Sequence, residues 1–460
     1  MAKTKIYVIL VTLVALLLCS VMDVQAATWY VDAGATGANN GTSWANAWTS
    51  LGAMSGVSGG DTVYISGGHT YSGVVTRFAG SSSNRITYQI GQDAGHNGTA
   101  TFTGAAINKN YVNVSGDAGD GQQHFVFTSG ELITAQNLSG IRLSYVYAGS
   151  LTGSSSPNYP LGYWQSSGGI VEIDHNYFHK NVSSADALLY FQPASSGSYG
   201  INKIHHNVIE VPYKGSGIGD DGIKASFNCT DIYNNTITAY HDASYSEGQH
   251  NDGLQPLWGN YMRIFNNTFT NFQYGIFLQA VFGGYNHIRV YNNIVRGTGA
   301  PTQKGFAIGS NNSASYRYDD TVVANNLLVD LAANCTGIGD GTYSITSNGF
   351  YFINNIGVNC NGWSNFGQIT EINNKTSSSN PGSFISYTPY STNNDFHLNE
   401  SDTWAKDQGN DTSGSPYNIL AIDKDGISRP QGSAYDLGPY EGLGLALQPP
   451  SNLSVTSTNP

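Results

Sequence analysis

Apolar and polar residues alternate over short runs of this chain, and the three-to-four spacing of an amphipathic helix is absent. The segments "IVEIDHNYF" (170–178), "INKIHHNVI" (201–209), "CTDIYNNTI" (229–237), "YMRIFNNTF" (261–269), "HIRVYNNIV" (287–295), "DTVVANNLL" (320–328) and "FYFINNIGV" (350–358) are versions of one unit. Each is a short strand, then Asn-Asn or His-Asn, then another β-branched or aromatic pair, the period-two signature of strands. The shared asparagines Asn176, Asn207, Asn235, Asn267, Asn293, Asn326 and Asn355 are 31, 28, 32, 26, 33 and 29 residues apart. A repeat of that length predicts a solenoid or a propeller. A second strand begins at a glycine in "GIKAS" (222–226), "GLQPL" (253–257), "GIFLQ" (275–279) and "GFAIG" (305–309). Hairpin signals for four-stranded propeller blades are scarce, so the pattern predicts an all-β parallel β-helix whose asparagines stack coil upon coil.

Composition supports this. Only 11% of the 460 residues are charged, while 56 are glycine and 30 tyrosine, which starves helices and favours strands and turns. Residues 1–26 carry Lys3 and Lys5, an apolar run to Leu18 and Val24-Gln25-Ala26, the pattern of a secretory signal peptide cleaved after Ala26. No other stretch is apolar enough to span a bilayer, so a secreted, extracellular or periplasmic protein is expected. Residues 27–75 are expected to form an N-terminal cap and first coil, 76–445 the β-helix, and 446–460 a linker or tail. The net charge of −12 becomes more negative by one without the leader, which argues against nucleic acid. It also repels an anionic glycan unless a metal or basic patch intervenes. Of the three cysteines beyond the leader, Cys335 and Cys360 could pair across neighbouring repeats and leave Cys229 as a small buried hydrophobe; the sequence leaves this open.

Together with the repeat, the opening "TWYVDAGATGANNGTSWANAWTSLGAM" (28–54), "GDTVYISGGHTYSG" (60–73) and the closing "YDLGPYEG" (435–442) carry a family resemblance. Over most of residues 27–445 the chain resembles the secreted right-handed parallel β-helix proteins of the pectate lyase-like superfamily. That resemblance implies a solenoid acting on polysaccharide, but one fold of this kind hosts many chemistries.

Registering the coils on their second strand gathers the scarce charge. One column reads Asp186, Asp221, Asp252, Tyr274, Lys304, and the column three residues on reads Leu189, Lys224, Gln255, Phe277, Ala307. Adjacent coils lie about 4.8 Å apart, so three aspartates would rise in a file with Asp220 and Asn251 beside them. Hard oxygen donors suit Ca²⁺, expected on Asp186, Asp220, Asp221 and Asp252; a purely structural aspartate ladder is the alternative. Lys224 alternates with Ile223 and Ala225 and should point outward, where it could act as general base. "DDGIK" resembles the calcium-binding "DDGxD" strand of pectate lyases, with Lys224 in place of an aspartate. It also resembles the lysine-bearing coil of alginate and chondroitin lyases, in which an arginine on the next coil assists. Here the next coil carries Gln255, and the nearest arginines are Arg263 and Arg289.

β-Elimination on a uronic acid needs a base for the C5 proton and a charge that neutralises the adjacent carboxylate. The aspartate file with Lys224 supplies both, and His250 could serve as acid or second base, or be structural. Gln255, Asn251, Arg263 and Trp258 are expected to contact substrate, Trp258 as a stacking platform. His175, His205 and His206 are expected to stack at the asparagine ladder. The expected function is a Ca²⁺-assisted lyase of a uronate-containing polysaccharide of the pectate, alginate or glycosaminoglycan type. It is expected to act as a monomer without nucleic-acid or membrane partner. The alternatives are a glycoside hydrolase with an inverting pair of carboxylates, a non-catalytic carbohydrate-binding or adhesive solenoid, and a C5-epimerase.

Overall fold

The computed structural model describes residues 26–129, 131–134, 137–149, 161–164, 170–179, 187–192, 198–212, 221–240, 251–299, 303–310, 316–338, 346–364 and 368–442. The expected leader and C-terminal tail lie outside the described residues, apart from Ala26.

Strands pair in parallel from coil to coil, as the period-two runs predict. A 12-stranded sheet runs from Thr70–Tyr71 to Lys375–Ser377. A 19-stranded sheet consists of two strips, joined where the long strand Asp252–Phe265 pairs with Asp221–Asn228 through its first half and with Thr230–Tyr233 through its second. The coils from Leu161–Trp164 to Thr336–Ile338 therefore present three faces. Sheet 1 holds Ala187–Gln192, Asp221–Asn228, the start of Asp252–Phe265, Tyr274–Ala280 and Lys304–Ser310. Sheet 2 runs from Thr28–Val31 to Thr370–Ile372, and sheet 3 is the 12-stranded one. No α-helix occurs among the described residues; a single 3-10 turn spans Leu51–Ala53.

The core is a set of vertical stacks. In sheet 2 one inward column reads Val63, Tyr88, Val114, Leu143, Ile173, Ile204, Ile232, Ile264, Val290, Val323, Phe352, all fully buried or nearly so. A solenoid would expose the first of these rungs. Trp48 closes that end: it stacks on Trp29 at 5.1 Å and joins Leu51, Met54 and Val57 in the core cluster.

The Asn-Asn pairs have two distinct jobs. The second asparagine points inward, and its amide donates to the carbonyl of the next: Asn176 to Asn207 at 3.0 Å, Asn207 to Asn235 at 2.9 Å, Asn235 to Asn267 at 2.9 Å. The file continues through Asn293, Asn326 and Asn355 to Asn374. The first residue of each pair turns the corner between sheets 2 and 3 with positive φ, at Asn234, Asn266, Asn292, Asn325 and Asn354. Asparagine tolerates this left-handed conformation better than most residues. His175 and His206 stand at that corner too, one residue before the ladder rather than within it, and with Tyr145 they form a ring stack at 4.8 Å intervals.

The C-terminal segment runs back up this corner. Asn354 exchanges hydrogen bonds with Asn410 (2.8 and 2.9 Å), Asn325 donates to Thr412 (3.4 Å), Asn292 to the Ile422 carbonyl (2.9 Å), and Lys424 donates to the Asn266 carbonyl. Asn292, Asn325 and Asn354 are buried beneath this strap, while the corner beyond it, with His206, is open. A disulfide joins Cys335 and Cys360, and Cys229 is free and buried.

Candidate functional site

Pairing in sheet 1 sets the register of the charged file. Lys224 faces Gln255 and Ile223 faces Leu254, so Asp221 and Asp252 share a column that continues through Tyr274 to Lys304. One coil earlier the expected register fails: Ala187, not Asp186, pairs with Asp221, and Tyr190, not Leu189, pairs with Lys224. By the strand bounds, the connection into Ala187–Gln192 is one residue shorter than the one into Asp221–Asn228, a difference that a gapless superposition cannot register. Asp186, Asp220 and His250 lie outside the described residues.

Lys224 and Asp221 form an ion pair, Nζ to Oδ2 3.3 Å, and the other Asp221 oxygen accepts the Asp252 amide at 2.8 Å. Asp221 and Asp252 are almost completely buried, and Lys224 retains only 15% side-chain exposure. The expected open cluster is therefore a covered one. Its immediate neighbours in the same columns are aliphatic or aromatic: Ala187 packs on Tyr190 on one side, and Tyr274 and Phe277, packed with Ala307, lie on the other. Burying charge among such residues is costly and serves no packing need.

Three more polar side chains lie on this outward face. Gln255 donates to Gln279 at 2.8 Å, yet Gln255 Oε1, Gln279 Nε2 and Ser226 Oγ are buried with no hydrogen-bond partner among the described residues. Each unmet group costs about 1–3 kcal/mol. Asn251 is buried, and its carbonyl accepts the amides of Gln273 and Tyr274. Trp258 lies three residues beyond Gln255, in register with Ser226 and partly exposed. Arg263 does not join this group. It sits in sheet 2, where both its guanidinium arms bind Asp231 and its plane lies 5.2 Å from the Tyr199 ring, so the side chain is fully committed there.

A second concentration of titratable groups occupies the outward face of sheet 2. The column Arg142, Glu172, Lys203, Asp231, Arg263 alternates in sign, and beside it stand Asp174 and His205. Arg142 grips both Asp174 oxygens at 2.8 and 2.7 Å, and His175 Nδ1 adds a third contact at 2.8 Å. Burial opposes the Asp174 charge, but Arg142 and His175 outweigh it and hold the carboxyl at about 2. The hydrogen bond from His205 keeps Glu172 below the usual carboxylate range. Burial, helped by its neighbours His205 and His175, lowers His206 to about 4. Asp174, His175 and His205 bring possible ligand atoms within 4.8 Å of one another. With a guanidinium already on both carboxylate oxygens, this group is neutralised without a metal. Sequence reading missed it because its members are spread over three coils; the outward-facing pairs Glu172/Asp174 and Lys203/His205 were the available signal.

No family model matches the chain, and no curated protein matches it. Among solved structures, the complex of XylC with xylose matches with TM-score 0.50 and 11% identity, covering 90% of this chain and 99% of that one. Pectate lyase Pel9A matches with TM-score 0.49 and 15% identity, covering 90% of this chain and 96% of that one. The PL6 family alginate lyase AlyGC matches with TM-score 0.49 and 16% identity over 88% of this chain, which spans 59% of that lyase's length. Its own backbone pairing makes the chain, in fold, a parallel β-helix protein.

Proposed function

We propose that this protein is a secreted polysaccharide lyase that cleaves a uronate-containing glycan by β-elimination at the Lys224 face of sheet 1. The observation that carries the reading is the set of unpartnered buried polar atoms, Gln255 Oε1, Gln279 Nε2 and Ser226 Oγ, beside the buried Lys224–Asp221 pair. Such groups are retained at a cost where a ligand is to meet them.

In this reading the Lys224 amine takes the C5 proton, the electron pair forms the C4–C5 double bond, and the C4–O bond breaks. His250 protonates the departing oxygen. The unmet Gln279 Nε2 would donate to the sugar carboxylate, and the unmet Gln255 Oε1 would accept from a sugar hydroxyl. Asp221, Asp252 and Asp220 supply the hard oxygen donors that Ca²⁺ prefers. Calcium held there would supply positive charge beside the substrate carboxylate; with Asp221 engaged as a ligand, Lys224 would lose the carboxylate at 3.3 Å that favours the ammonium over the amine a base must be. A glycoside hydrolase is the second reading, because Asp221 and Asp252 stand on adjacent coils. That spacing, about 4.8 Å between strands, suits a retaining pair better than an inverting one.

The test is to incubate the protein with pectate, alginate and glycosaminoglycans, with Ca²⁺ or with EDTA, and to follow ultraviolet absorbance of unsaturated ends. The lyase reading expects absorbance growth on at least one polymer. New reducing ends without absorbance would replace it with hydrolysis, and silence on both would favour a binding solenoid.

A further inference from the structure

We infer that the groove at the junction of sheets 1 and 2 is a sugar subsite for a neutral pyranose unit. Trp258, Asn260, Gly284, Tyr285, Asn286, Tyr316, Arg317 and Asp319 line an open depression of about 350 Å³. Trp258 and Tyr316 are partly exposed, and Gly283 lies against Trp258, its position for a Cβ only 3.5 Å from the Trp258 Cβ. The adjoining Phe282 is 62% exposed, an unusual placement for a large apolar ring. Aromatic faces next to polar groups are what a pyranose, with its apolar ring faces and equatorial hydroxyls, requires.

The polar wall is periodic. Asn260, Asn286 and Asp319 occupy one register column, one per coil. Arg317 Nε binds Asp319 at 2.9 Å, so donors and acceptors stand side by side as vicinal hydroxyls need. The same pairing decides the charge of the occupant. Arg317 is the one cation lining the groove among the described residues, and Asp319 already neutralises it. A uronate carboxylate would meet Asp319 and two amides with no spare positive charge, whereas a neutral sugar meets a complete hydrogen-bonding set.

Trp258 lies three residues past Gln255 along the strand, about 10 Å from the Lys224 column. Resting on the lyase reading for this placement alone, the inference makes the substrate a heteroglycan in which neutral units flank the uronate.

The test is titration of the full chain with neutral hexasaccharides from xylan, mannan and β-glucan, and with hexagalacturonate, by tryptophan fluorescence and calorimetry. At least one neutral hexasaccharide should bind, more tightly than hexagalacturonate. Trp258→Ala should weaken it at least tenfold, and Phe282→Ala, whose exposed ring contributes little to folding, severalfold. The inference is overturned if no neutral hexasaccharide binds, if both variants bind as the parent does, or if hexagalacturonate binds tighter. Absence of unsaturated products from every polymer would instead remove the lyase reading and leave these binding results standing.

Discussion

Lys224 Nζ lies 3.3 Å from Asp221 Oδ2, and Asp221 Oδ1 holds the amide of Asp252 on the next coil. One carboxylate thus ties the proposed base to the neighbouring rung of the solenoid. Lys224→Met should lower turnover about 100- to 10,000-fold, the usual worth of a positioned base, and should also lower the unfolding midpoint, because the buried Asp221 carboxylate loses its cation. Initial rates of unsaturated-end formation alongside a urea melt check this; retained turnover would remove Lys224 from the mechanism.

In the lyase reading proposed above, Ca²⁺ and the Lys224 ammonium would compete for Asp221. Calorimetric titration should show Lys224→Met binding Ca²⁺ about tenfold more tightly than the parent, the effect of one like charge removed. Asp252→Asn should weaken binding. An unchanged affinity in both variants would place any Ca²⁺ elsewhere on the chain.

The two asparagines of a single pair should differ sharply. Asn235 accepts from the Asn207 amide and backbone, and donates to Asn267 and the Ile204 carbonyl, all buried. Asn235→Ala should cost about 3 kcal/mol by leaving several of these groups unmet. Asn234→Ala loses the left-handed preference at the corner and one exposed contact to His206 Nε2, and should cost about 1 kcal/mol. Urea midpoints of the two variants give the comparison.

Reduction should loosen the coils joined by Cys335 and Cys360. The bridge closes a sequence separation of 25 residues, so the Cys335→Ser/Cys360→Ser protein should lose about 3 kcal/mol. Denaturant melts of the oxidised parent and the double variant measure it.

His397 supplies a pH dependence. Its Nε2 meets Asp425 at 2.7 Å and its Nδ1 meets Asp395 at 2.5 Å, while the Tyr440 ring lies tilted against it at 4.0 Å. The Asp425 bond, opposed by burial and reinforced by Asp395, raises the imidazole from 6.5 to about 9. The stabilisation is therefore full below pH 6.5 and lost as pH rises through about 9. Lys424, which burial lowers to about 7, has the opposite sign, but it is common to the parent and a His397→Asn variant. The difference between their thermal midpoints should be largest near pH 6 and vanish above about pH 10. A constant difference would show that His397 does not titrate with folding.

Much of this architecture was legible because each coil repeats a local rule. The second asparagine of each pair announced the ladder, and strand alternation put Lys224 outward. Register held from Asp221 to Lys304 and slipped at Asp186, since the length of an irregular connection leaves no periodic trace. Alternation reveals which face a side chain takes but not what covers it, so the burial of Asp252 and Gln255 was invisible. The Arg142, Asp174 and His205 group escaped notice because pairing across coils, not nearness in sequence, assembles it. The first asparagine of each pair looked like part of the ladder; only the backbone showed that it turns the corner.

The strap along the asparagine corner changes how the solenoid would come apart. A stack whose rungs touch only their neighbours can fray from an exposed end, rung by rung. Here residues 410–424 fasten the corners at Asn354, Asn325, Asn292 and Asn266, so the last coils are splinted to the middle of the rod. Fraying from that end must first peel the splint away, and a protease cut between residues 407 and 410 would release several coils at once rather than one.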